Sequence, residues 1–195
     1  MENKIWFTSD SHFGHFNIIR YCNRVDSKGM QFQTSHHMDE VLIESWNSVV
    51  GSEDTIYHLG DFSFQDHEPY LRRLNGSKKI LIVGNHDKRP RCSANGWEEI
   101  HNYLEIKLNG IVITLCHYKM AVFNKSHGGQ ALQFYGHSHG KLPGNNQQLD
   151  VGVDSAFALG YGYSPLSLEQ IQRELRKLPQ FKQADYHENN QVDNL

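Results

Sequence analysis

The sequence predicts a single α/β domain with mixed sheets, on three observations. Several β-rich apolar runs stop abruptly at Gly, Asp, Asn or His; apolar residues at helical spacing separate the first of these runs; and from Glu99 onward short strands follow one another without long helices between them. At 195 residues the chain can bury a substantial core without help from disulfides or oligomerisation.

The apolar runs share one form. Lys4 to Thr8 leads into Ser9-Asp10-Ser11-His12, Thr55 to Leu59 into Gly60-Asp61, and Lys79 to Val83 into Gly84-Asn85-His86-Asp87. Gly110 to Cys116 leads into His117, and Leu132 to Tyr135 into Gly136-His137-Ser138-His139. In open sheets with buried strands, loops at the carboxyl ends gather along one edge, where such folds place their chemistry. These residues, far apart in sequence, are therefore expected to converge.

The intervening segments complete the architecture. Met38, Val41, Leu42, Trp46, Val49 and Val50 recur at helical spacing before Gly51, which predicts a helix. A second helix through Tyr70, Leu71 and Leu74 makes a β-helix-β unit, whose crossover favours parallel pairing. Ile100 to Leu108, Gly110 to Cys116, Leu132 to Tyr135 and Gln148 to Val153 read as strands, with an Asn109-Gly110 hairpin turn between the first two. Ser167-Leu168-Glu169-Gln170 has capping-box form and opens a last helix through Ile171, Leu175 and Leu178, which Pro179 stops. Residues 1–180 form the domain, and 181–195, polar and short of apolar anchors, are expected to be a loose tail.

Composition narrows the functional classes. Lys plus Arg number 19 against 22 Asp plus Glu, so charge gives no indication of a nucleic-acid partner. Cys22, Cys92 and Cys116 form no CxxC pair, which speaks against a disulfide framework or a thiolate zinc cluster and for reduced thiols. Neither a leader nor a bilayer-spanning window is apparent, so a cytoplasmic protein without membrane contact is the expectation. The oddity is 13 histidines, the commonest metal ligand. His36, His37, His58, His67, His101, His127 and His187 lie outside the strand-end ligand positions and read as surface or hydrogen-bonded residues.

The strand-end residues suit metal chemistry. Asp10 and His12 combine a hard carboxylate with an imidazole, a mixture that accepts Mn, Fe or Zn. Asp61, after a glycine that permits a tight turn, can bridge two ions with its two oxygens. Asn85 offers a neutral carbonyl oxygen, His86 keeps a nitrogen free for proton transfer, and Asp87 can orient that imidazole. His137 and His139 flank Ser138, so an extended loop can aim them at different ions of a pair that includes His117.

The blocks DSH, GD, GNHD, a lone strand-end His and GHSH, in that order over about residues 4 to 154, resemble the calcineurin-like metallophosphoesterase superfamily. The resemblance implies a four-layer α-β-β-α sandwich with mixed sheets and two divalent ions, Mn first, with Fe, Zn, Ni or Co as alternatives. It implies that Asp10, His12, Asp61 and His139 hold one ion and that Asp61, Asn85, His117 and His137 hold the other. It assigns His86 as the catalytic histidine with Asp87 as its acidic neighbour, and a metal-bridging hydroxide as nucleophile. The first block and Gly152-Val153-Asp154 look like the small stand-alone bacterial and phage members. Asp61-Phe62-Ser63-Phe64 departs from the run found in protein phosphatases, so a phosphoprotein substrate is not indicated.

A small phosphodiester or nucleotide is the preferred substrate; a single-strand nuclease, a phosphomonoesterase or a silent metal-binding scaffold are the rival readings. Lys119 is a candidate for a substrate phosphate. Lys88, Arg89 and Arg91 read as a solvated loop. His15, Asn17 and Arg20 either line the pocket or simply begin a helix.

Overall fold

The structure is a computed structural model, and it describes residues 3–88 and 96–181. The strands among these residues are β1 (Ile5–Thr8), β2 (Thr55–His58), β3 (Lys78–Ile82), β4 (Glu99–His101), β5 (Tyr103–Leu108), β6 (Ile111–Cys116), β7 (Ala131–Tyr135), β8 (Gln148–Asp150) and β9 (Leu166–Ser167). The α-helices are α1 (Phe16–Tyr21), α2 (Ser35–Val49), α3 (Glu68–Leu71), α4 (Val153–Ala158) and α5 (Leu168–Leu175).

Two mixed sheets result, as expected for an α/β domain. The first has the order β4-β3-β2-β1-β9, parallel except for β9; the second has the order β5-β6-β7-β8, with only the β5–β6 pair antiparallel. Side chains alternate faces along a strand. Trp6, Ile56 and Leu81 pack with residues of α1, α2 and α3, while Phe7, Tyr57 and Ile82 on the opposite face pack on Ile113, Leu115, Phe134 and Leu149 of the second sheet. Ile171 and Leu175 of α5 join this second core.

The layers among the described residues are therefore helices, sheet and sheet. The far face of the second sheet presents buried Thr114, Gln133 and Gln148 rather than an apolar surface for a helix. Gln133 Nε2 donates to Tyr118 O (2.8 Å), its Oε1 accepts from Met120 N (3.0 Å), and Gln148 Nε2 donates to Met120 O (2.7 Å), so a loop covers this face. The fourth, helical layer of the expected sandwich is not seen there.

Several local expectations are met. The helix expected before Gly51 forms as α2, and the expected capping box of Ser167 and Gln170 opens α5. Asn109 and Gly110 both take positive φ (49° and 82°), as a two-residue hairpin turn requires. The expected strand from Ile100 to Leu108 is instead divided at Asn102. The hairpin register pairs Tyr103 with Cys116, where β6 ends, so residues before Tyr103 pair with β3 in the other sheet. The second predicted helix shortens to α3, and α4 and β9 carry no periodicity long enough to be read beforehand. Residues 182–195 of the expected tail lie outside the described residues, and no helix among the latter is long and apolar enough to cross a membrane.

Candidate metal centre

Parallel register brings the ends of β1, β2 and β3 to one edge, and the pairing continues into their loops. Asp10 N donates to Gly60 O (2.9 Å), His12 N to Asp61 O (3.0 Å) and Phe13 N to Phe62 O (3.0 Å). His12 Nε2 then lies 3.6 Å from Asp61 Oδ2 and 4.0 Å from Asp10 Oδ1. The third loop is tied in by Asp87, whose carboxylate accepts from Asp61 N (2.8 Å), Phe62 N (2.9 Å) and Gly84 N (2.9 Å). Gly60 has φ +97°, and a Cβ there would lie 2.6 Å from both Gly84 N and His117 Nδ1, so a side chain would part the loops.

The second sheet docks its histidines onto this edge. His117 pairs Nδ1 with Leu59 O (2.7 Å); a carbonyl only accepts, so Nδ1 carries the proton and Nε2 faces Asn85 Oδ1 (3.1 Å) and Asp61 Oδ2 (3.5 Å). His137 N donates to the Asp10 carboxylate (2.9 Å to Oδ2), and His139 Nδ1 pairs with Asp154 Oδ2 (2.7 Å). Ser138 Oγ and Gly140 N both donate to Asp150 Oδ2, which braces the loop between and beyond the two histidines.

The seven predicted ligands thus meet at one place. Asp10, His12 and His139 each offer a ligand atom within 4.8 Å of the others, and so do Asp61, His117 and His137, with Asn85 beside the second group. Asp10, His12, Asp61, His137 and His139 all have left-handed φ, from 49° to 64°. Non-glycine residues seldom adopt it, at a cost of order 1–3 kcal/mol each, and such strain persists only where the surroundings over-determine it.

The electrostatics fit a divalent cation. Burial pushes the Asp10 carboxyl up to about 7, against the pull of His139 and His117. Burial takes His12 down to about 2, with the Arg24 charge adding to the effect. Burial also works to raise Asp61, but its hydrogen bond and charge interaction with His117 hold it well below the usual carboxylate range. His12 Nε2 is buried without a hydrogen-bond partner while facing two carboxylates. A neutral imidazole lone pair beside two acceptors lacks a proton to share, and a hard-to-borderline cation satisfies all three.

Two expectations are corrected. Asp87 is committed to backbone amides of the Asp61 and Gly84 loops rather than to the His86 ring. The exposed His86 ring instead packs 4.8 Å from Phe64 and 5.6 Å from His12. Lys119 turns away, donating to Pro143 O (2.6 Å) and lying over the Tyr135 ring, and Tyr118 faces the site in its place. The Tyr118 ring is 4.9 Å from His117 and 4.8 Å from His137, and its hydroxyl donates to Asn85 Oδ1 (3.4 Å).

Of the undecided trio, His15 reaches the site, with Nδ1 3.3 Å from His12 Nδ1 and its ring stacked on Phe64, while Asn17 and Arg20 belong to α1. Arg89 and Arg91 lie outside the described residues. Sequence reasoning passed over Arg24, which bonds Asp154, and the support of Ser11 by His58 (2.9 Å). A cavity of about 810 Å³ lined by Lys107, Ile111, Leu132, Leu175 and Arg176 contains none of the predicted site residues.

No family model matches the chain. Over 186 residues it is 29% identical to an uncharacterized protein of Methanocaldococcus jannaschii, covering 89% of this chain and 92% of that one. Over 87 residues it is 37% identical to the Gene 66 protein of Mycobacterium phage L5, covering 42% of this chain and 39% of the phage protein. The crystal structure of a protein of unknown function from Aquifex aeolicus superposes with a TM-score of 0.63 at 28% identity, covering 89% of this chain and all of that one. The fold is thus shared with a solved protein of unknown function, and the chemistry has to be argued from the site.

Proposed function

We propose that the chain is a dinuclear metal-dependent phosphoesterase of the calcineurin-like kind, acting on a small phosphodiester or nucleotide. The observation that carries this reading is the meeting of Asp10, His12, Asp61, Asn85, His117, His137 and His139, delivered by five strand-end loops, in one cluster. Asp10, His12, Asp61 and His139 would hold one divalent ion, and Asp61, Asn85, His117 and His137 the other. Manganese is the preferred metal, with Fe, Zn, Ni or Co also compatible with this donor set. A bound pair supplies an acidified water and offsets charge on the phosphoryl group.

The protein's own part follows from its geometry. His86, exposed beside His12 and Phe64, is available to donate a proton to the departing alkoxide. Asp61 keeps its negative charge between the two groups of ligands, and its Oδ1 accepts from His86 N (2.8 Å), which fixes the backbone of the proton donor. Tyr118 walls the second group and bounds the space left for substrate. The fold expected with this reading is the α-β-β-α sandwich; among the described residues a loop stands where its fourth layer would lie.

The test is a panel of phosphomonoesters, linear and cyclic dinucleotides and oligonucleotides with manganese. Diester hydrolysis is expected, abolished by a chelator and reduced at least about a hundredfold by His86→Ala with metal content unchanged. Undiminished turnover in that variant removes His86 from the chemistry, and bound metal without turnover on any member favours the scaffold reading.

A further inference from the structure

Arg24 is the bulkiest of the fully buried side chains, at 1% exposure. Nε donates to Asp154 Oδ1 (2.9 Å) and Nη2 to Asp154 Oδ2 (2.8 Å). Nη1 donates to Ser11 O (2.8 Å) and Nη2 also to Asp10 O (2.6 Å). Asp154 Oδ2 in turn pairs with His139 Nδ1 (2.7 Å). A buried guanidinium persists only when paired and hydrogen-bonded. An ion pair serving stability alone could take those carbonyls from anywhere. Here they belong to the loop that carries Asp10 and His12, and the carboxylate also holds an imidazole of the same cluster.

We infer that Arg24 and Asp154 are positioning residues for the first half of the metal centre. The inference rests on the two-ion reading. One guanidinium sets the backbone that presents Asp10 and His12, and through Asp154 it engages Nδ1 of His139, which leaves Nε2 as the nitrogen an ion could use. The sequence brings these parts together from opposite ends: Arg24 follows α1, where its N donates to Ile19 O, and Asp154 lies in the first turn of α4. Among the described residues no carboxylate stands behind the ring of a second-half histidine in this way: His117 leans on the neutral carbonyl of Leu59. A carboxylate behind a ligand histidine fixes its tautomer and raises its basicity, and losing such a partner typically weakens metal binding about 10–100-fold. Cys22 also lies within 4.8 Å of His139 and Asp154, but both Asp154 oxygens are engaged by Arg24, so these three form no separate cation site.

The experiment is calorimetric titration of the metal-free full chain with Mn²⁺, for the wild type, Asp154→Ala and Asp154→Asn, with circular dichroism as the check on folding. The wild type should take up two ions. In Asp154→Ala one site should weaken by about 10–100-fold while the other keeps its affinity. Asp154→Asn retains one oxygen able to accept from both His139 and Arg24 and should lose less at that same site. If Asp154→Ala, which strands Arg24 without a counter-ion, fails to fold, the isosteric Asp154→Asn carries the test alone, with a several-fold loss expected at one site. Wild-type affinity at both sites in the folded variants, or equal weakening of both, overturns the positioning role and leaves the two-ion reading intact. A wild-type chain that binds no ion overturns the reading itself.

Discussion

The two rows of candidate ligands are held by different means. Those from the first sheet sit on an extension of its parallel ladder: the Asp10, His12 and Phe13 amides bond to the loop after β2, and Asp87 gathers the amides of Asp61, Phe62 and Gly84. Those from the second sheet are held one at a time, His117 by Leu59 O, His137 through its amide by Asp10, and His139 by Asp154. The first row supplies oxygens and one imidazole; the second supplies imidazoles alone. Short Asp and Asn side chains are placed once their backbone is placed, whereas a histidine ring needs a further partner to define its turn and tautomer. Register therefore decides the first row, and the docking of one sheet on the other decides the second.

Asp61 is where the rows meet, with Oδ2 at 3.6 Å from His12 Nε2 and 3.5 Å from His117 Nε2. Asp61→Asn keeps the shape but removes the charge and one acceptor oxygen. Occupancy of both ions should fall, and turnover should drop by more than the roughly hundredfold that loss of an outer partner costs. His12→Ala should chiefly disturb the first ion. Elemental analysis of the two purified variants checks this, and identical metal content in both would show that the rows are not joined through Asp61.

Gly136 tests the docking itself. A Cβ there would lie 1.9 Å from Ser9 Oγ and 2.4 Å from Asp10 Oδ2, at the point where the loop after β7 crosses the loop after β1. Gly136→Ala should push the rows apart and cost about 1–3 kcal/mol, as overpacking of a tight site does. Beyond its strands the second row has a single ladder bond, from Gly136 N to His117 O (2.9 Å), so the loss of metal affinity should exceed what the drop in melting temperature suggests. A variant that is less stable yet binds Mn²⁺ like the wild type would show the second row to be held independently of the first.

The same contrast explains what could be read in advance. The candidate ligands follow apolar strands, so a local pattern of apolar run then polar stop points to all seven positions, and parallel register gathers those of the first row. Arg24 and Asp154 are 130 positions apart and meet only because two loops pack together, and Asn23-Arg24-Val25-Asp26 reads locally as a solvated turn. Adjacency suggested that Asp87 serves His86, but the amides of the Asp61 loop approach in space and claim its oxygens. Lys119 reads as a phosphate contact from its charge and its place after His117, whereas the buried glutamines that set this loop's path, Gln133 and Gln148, carry no local signal. The break at Asn102 was hidden because either sheet can accept the same alternating run.

The first row is also fastened from behind, which gives the smallest and most selective test. Asp39 of α2 is buried, and its carboxylate accepts from Gly14 N (3.0 Å) and from the Tyr70 hydroxyl (3.0 Å). Burial pushes it from 3.8 up to about 6, against those hydrogen bonds. The folded state thus holds this proton to a higher pH than the unfolded chain does. Across the window from about 3.8 to 6 the folded state binds more protons, so this group's contribution to stability falls as pH rises and is flat above the window. Asp39→Asn has no proton to bind, so the wild type should gain on the variant as pH is lowered from 7 to 4. The melting-temperature difference should change by a few degrees, given about 2–4 °C per kcal/mol for a chain of this size. Mn²⁺ affinity at pH 7 should hardly change, because Gly14 lies beyond the ligands and the second row does not touch Asp39. A melting-temperature difference independent of pH would mean that Asp39 stays ionised in the folded protein and that the loop is held by geometry alone.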